Sequence, residues 1–127
     1  MRLLAKHIEQ TCSEWLALDR WYWLKTDPVS DHARGKGFGE PGMTDGQYRR
    51  APEISITAGI PEEAACVELM WIEWKAPKGK HAQHQRAWQE REKRRGFLVL
   101  RAGVDFPKTI EGFMAWYRES GLMRRKI

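Results

Sequence analysis

The sequence predicts an α/β domain in which a central mixed β-sheet is flanked by helices, in the order α-β-β-β-α-β-α. Three observations carry this. The apolar runs at 67–75 and 97–100 are separated by a charged, helix-forming stretch, and a strand–helix–strand unit of that length favours parallel pairing. Residues 52–57 alternate apolar and polar types, as a half-buried strand does. Amphipathic stripes mark both ends of the chain. At 127 residues one hydrophobic core suffices, so 1–127 reads as a single domain.

The first helix is expected from Leu3 to Leu18, where Leu4, Ile8, Cys12, Trp15 and Leu16 recur at three or four residues. Glu9 lies beside that stripe and reads as a surface carboxylate. Trp21-Tyr22-Trp23-Leu24 is a first strand, stopped by Asp27-Pro28. Residues 27–50 hold many glycines and charges and read as a long loop, with an extended turn of sheet near Gln47–Arg50. Its Arg34, Lys36, Arg49 and Arg50 are candidate phosphate contacts.

Pro52-Glu53-Ile54-Ser55-Ile56-Thr57 is predicted as a strand that returns through an enlarged loop to Val67–Lys75, forming an antiparallel hairpin. The second strand contains Leu69-Met70-Trp71-Ile72-Glu73-Trp74-Lys75. Alternation sends Leu69, Trp71, Glu73 and Lys75 to one face and Met70, Ile72 and Trp74 to the other. Ala76-Pro77-Lys78-Gly79 ends it. A polar helix over His81–Arg95 presents Ala82, Gln85, Trp88 and Glu92 on one side and is capped by Gly96. Phe97–Leu100 is a short buried strand. Pro107 then opens a last helix whose Ile110, Phe113, Met114 and Tyr117 form a buried face, ended by Gly121.

The net charge of +5 makes a polyanionic partner plausible electrostatically. Cys12 and Cys66 form neither a disulfide framework nor a zinc pattern and fit a reducing compartment. No apolar run approaches the roughly 18 residues of a membrane span, and the N-terminus lacks the apolar region of a signal peptide. A cytoplasmic location is expected. The seven tryptophans are assigned to the core rather than to base stacking. No serine–histidine–aspartate set or phosphate-cradling loop is legible.

The expected hairpin gathers Glu53, Glu73 and Lys75. Phosphodiester hydrolysis needs carboxylates for a hard divalent cation and a positive group near the attacking water. Magnesium is satisfied by one or two carboxylates plus waters and phosphate oxygens, so Glu53, Glu73 and the backbone carbonyl of Trp74 make a candidate Mg2+ or Mn2+ site. His81 and His84 lie three apart on a basic helix and are read as solvated.

An acid followed by Glu73-Trp74-Lys75 on this element order resembles the PD-(D/E)XK nucleases. Ile72-Glu73-Trp74-Lys75-Ala76-Pro77-Lys78-Gly79-Lys80, followed by Gln85-Arg86-Ala87-Trp88, is similar to the virus-type replication-repair nuclease family, VRR-NUC. The resemblance implies a Mg2+- or Mn2+-dependent endonuclease acting on branched or structured DNA in replication, repair or recombination, of phage type and akin to Holliday junction resolvases. It implies pairing into a homodimer, with Gln85 close to the active site. The family's first acid is usually aspartate. Here the position is assigned to Glu53, with Asp45 in Gly42-Met43-Thr44-Asp45 as the rival, and Glu9 is the substitute for a glutamate of the first helix. Two other readings stand beside it: a nuclease-fold DNA-binding module without chemistry, and a basic protein-interaction domain anchored by exposed tryptophans.

Overall fold

The computed structural model describes residues 5–25, 46–51, 68–75 and 80–127, the side chains of 80–82 excepted. These residues form an α/β arrangement of three helices and a four-stranded mixed sheet: α1 (Ala5–Ala17), β1 (Tyr22–Lys25), β2 (Gly46–Arg50), β3 (Glu68–Glu73), α2 (Lys80–Arg94), β4 (Leu98–Arg101) and α3 (Ile110–Glu119). The sheet order is β1-β2-β3-β4. The first two pairings are antiparallel and β3–β4 is parallel, as the strand–helix–strand reading expected.

One expectation is corrected by the register. The antiparallel neighbour of β3 is 46–50, not 52–57: Gly46 pairs with Ile72 and Arg50 with Glu68. The opposite edge of β3 is taken by β4, where Glu73 pairs with Arg101. A strand has only two hydrogen-bonding edges, so the expected hairpin has no edge to use over Glu68–Glu73. The residues of that expected strand, Glu53 among them, lie outside the described residues.

The alternation of β3 sorts the core into two layers. Met70, Ile72 and Trp74 join Ile8, Cys12 and Leu16 of α1, Tyr48 of β2, and Phe113 and Tyr117 of α3. Trp71 and Leu69 turn the other way, onto Trp88 of α2 and Val99 of β4. Trp71 and Trp88 meet edge to face with centroids 4.8 Å apart, an arrangement favoured by the ring quadrupoles. Four tryptophans are buried and the other three half-buried, so the core reading of these residues holds.

The caps are local. Arg20 takes a left-handed φ of 71° at the end of α1, and Gly96 does so at 92° after α2, where Phe97 N–H returns to the Glu92 carbonyl. Helix α3 begins at Ile110 rather than at Pro107, because Thr109 is its N-cap and its side chain accepts from Gly112 N–H at 2.9 Å.

A buried ionic knot ties the far end of the sheet. Arg50 Nη1 donates to Asp19 Oδ2 at 2.9 Å and Arg50 Nη2 to Glu68 Oε2 at 2.8 Å, while the guanidinium stacks over Trp21 at 4.2 Å. Tyr117 OH donates to Asp19, and Arg124 pairs with Glu68. The backbone N–H groups of Arg124 and Arg125 donate to Asp19 Oδ1 at 3.1 and 2.8 Å. Arg50 is therefore a structural ion, not the loop phosphate contact expected from sequence.

Candidate active site at the carboxyl end of β3

Glu73 closes the central strand. It lies at the carboxyl ends of β3 and β4, where an α/β sheet splays its loops and where ligands gather in such folds. The parity that sends Trp71 to α2 sends Glu73 there too. Its side chain is 3% exposed, and Gln89 Nε2 of α2 donates to Glu73 Oε2 at 2.9 Å. A carboxylate held this way has its rotamer fixed before any ligand arrives.

The helix delivers this contact because Gln85, Trp88, Gln89 and Glu92 share one face, three and four residues apart, and all four are buried. The sequence reading selected Gln85 from that face. Gln85 is buried on that face, and Gln89, one turn on, donates to Glu73. Its signal was present in the spacing, since a residue four beyond Gln85 lies on the same side of a helix.

Lys75 is exposed just beyond the strand. The Trp74 side chain points into the opposite layer, where its Nε1 donates to Tyr48 OH at 2.9 Å; its carbonyl lies between Glu73 and Lys75 in the chain. Tyr48 OH also bonds Ser13 Oγ at 2.7 Å, and burial pushes the Tyr48 phenol well above its ordinary range. Glu9 is corrected from a surface carboxylate to a buried one: it is 2% exposed and lies 3.7 Å from Lys25 Nζ at the end of β1. It approaches this end of the sheet from the α1 layer, whereas Glu73 faces α2. His84 is exposed, as expected.

Asp45 and Glu53, the two candidates for the second acid, both lie outside the described residues. Among the described residues no three His, Cys, Asp or Glu side chains converge to hold a metal ion. A buried, preoriented carboxylate is the right kind of donor for Mg2+ or Mn2+, and Glu73 is such a carboxylate among the described residues.

No protein-family model, no curated protein and no solved structure matches this chain. Among the described residues no helix is long and apolar enough to cross a membrane.

Proposed function

We propose that the chain is a divalent-metal-dependent nuclease that hydrolyses phosphodiester bonds in branched or structured DNA, built on the PD-(D/E)XK plan. The observation that carries the reading is Glu73, a buried carboxylate oriented by Gln89 at the loop-bearing end of the central strand. Glu73 and a second acid would hold the ion, which would supply Lewis acidity toward the phosphate and the attacking water. Lys75 is the positive group beside them, positioning the water and the scissile phosphate.

The register supports Asp45 over Glu53 as the second acid. Gly46 pairs with Ile72, and their chain neighbours are Asp45 and Glu73. From there β2 runs away from the site. Arg50 is opposite Glu68, five positions back from Glu73, or roughly 17 Å along the strand. Glu53 follows Arg50 by three more residues in the chain, whereas Asp45 directly precedes the strand end that pairs beside Glu73. Asp45 is also the residue type usual at this position in the family that the sequence resembles.

The test is cleavage of labelled linear, flapped and four-way DNA with Mg2+ or Mn2+, comparing the parent with Glu73→Gln, Lys75→Ala, Asp45→Asn and Glu53→Gln. The reading expects the parent to cut and the first three variants to lose about a hundredfold or more, as for removal of a group acting on the reacting centre, with Glu53→Gln close to parent. Folded parent protein that binds DNA and never cuts, with either ion, would sink the nuclease and leave the DNA-binding module. The interaction domain anchored by exposed tryptophans loses its motive, because none is exposed. Pairing of two copies belongs to the proposal, and a monomeric mass by light scattering would remove it.

A further inference from the structure

Arg101 stands beside Glu73 in the sheet. The two are register partners on parallel strands, about 4.8 Å apart across the ladder. Facing is fixed by their neighbours: Ile72 and Leu100 both enter the α1 layer, and Trp71 and Val99 both enter the α2 layer. Glu73 and Arg101 therefore share the α2 side.

Three arginines paired with carboxylates show what this chain does with a guanidinium it uses for structure. Arg50 is held by Asp19 and Glu68, Arg124 by Glu68 and the Ala51 carbonyl, and Arg95 by Glu92. Arg101 is half-buried, its Nε is withdrawn from water, and that atom has no hydrogen-bond partner among the described residues. Asp105 is nearby but accepts from the Arg101 backbone N–H, at 2.7 Å. Glu73 Oε2 is occupied by Gln89. A permanently charged fork of five donors, partly desolvated and not consumed by the adjacent acid, is an expensive feature unless an anion completes it.

We propose that Arg101 is a phosphate anchor, binding a backbone phosphate of the nucleic acid next to Glu73. The proposal rests on the nuclease reading for the class of ligand. The planar fork matches two oxygens of a phosphodiester, and the excess positive charge of the chain favours a polyanion over a lone carboxylate. Arg101 is a binding and positioning group in this account. It holds the strand so that the phosphate meets the Glu73 carboxyl end of the sheet.

The experiment separates this from catalysis by omitting the metal. Fluorescence anisotropy with a labelled 20-base single strand and duplex is recorded in EDTA over a potassium chloride series, for the parent, Arg101→Gln, Arg101→Lys and Arg94→Ala, an exposed arginine on α2. Thermal midpoints confirm folding, and the shorter, neutral glutamine keeps the first methylenes of the stem while removing the charge. Arg101→Gln should weaken binding about tenfold and reduce the salt slope by about one contact. Arg101→Lys should recover part of the affinity, and Arg94→Ala should stay within about twofold. Parent affinity and slope in Arg101→Gln would overturn the proposal, as would a parent that binds neither DNA. Inorganic phosphate that competes as well as DNA at equal phosphate concentration would also overturn it, in favour of a small-anion site. Cutting, measured separately with metal, decides the nuclease reading whatever the anisotropy shows.

Discussion

At the scale of single residues, the carboxylate that defines the site is also the one the sequence marks most clearly. Glu73 follows from strict alternation along an apolar strand, which needs no knowledge of neighbours. What lies across from it does need that knowledge. Gln85 and Gln89 occupy the same helix face, and only the height at which α2 crosses β3 decides that Gln89 makes the contact. Glu9 read as surface because its partner Lys25 comes from another element. Arg50 read as a loop cation because both its acids are remote in sequence. The contact at Glu73 is testable by stability alone. Gln89→Leu removes a buried donor from a buried carboxylate and should cost about 1–3 kcal/mol, seen as a lower urea midpoint with an unchanged slope. An unchanged midpoint would mean that the Gln89 amide contributes nothing to holding Glu73.

Among the elements, helices were legible and one strand only in part: the extended turn of sheet expected near Gln47–Arg50 is β2, Gly46–Arg50, but its place beside β3 was not legible. Amphipathic spacing located α1, α2 and α3 within a few residues, because a helix declares its buried face within its own sequence. β2 is Gly-Gln-Tyr-Arg-Arg, with Tyr48 as its one large apolar side chain. Its strand character comes from neighbours on both edges, a context that local propensity does not contain. The β-branched run at 54–57 was the stronger local signal and drew the hairpin to itself. The start of α3 offers an element-scale test of packing against propensity. Replacing a helical glycine by alanine ordinarily gains about 1 kcal/mol. At Gly112 an added Cβ would meet Pro107 Cβ at 2.5 Å and Thr109 Oγ1 at 2.7 Å. Gly112→Ala should therefore destabilise the protein and disturb the Thr109 cap. A raised thermal midpoint would show that the Pro107–Thr109 turn yields freely.

For the molecule as a whole, the buried protonated groups set an alkaline limit. Burial pushes the Cys12 thiol up to about 12, with Glu111 adding to the rise. Burial likewise raises Tyr48 and Tyr117, and for Tyr117 the bond donated to Asp19 reinforces it. In the unfolded chain these groups ionise near their ordinary values of 9.0 and 10.0, while the folded protein keeps its protons. Above about pH 9 the unfolded state thus binds fewer protons than the native state, and stability falls as pH rises. Each group at full linkage contributes about a factor of ten in the folding constant per pH unit. Urea unfolding between pH 8 and 11 should show a midpoint that holds at first and then declines, and Cys12→Ala should lessen the early part of the decline. A midpoint flat to pH 11 would contradict the burial of these groups.

The ionic knot at Asp19 also imposes an order on events during synthesis. Asp19 belongs to the first sixth of the sequence, yet two of its oxygen contacts come from backbone groups 105 and 106 residues later. Until residues 124 and 125 have left the ribosome, an acid destined for full burial lacks those donors, and Arg50 and Tyr117 alone must quiet its charge. The sheet and both helical layers can gather beforehand, since their pairings close earlier in the chain. The knot tightens last. The emerging protein thus passes through an assembled but unlatched stage, which ends when the backbone of residues 124 and 125 reaches Asp19.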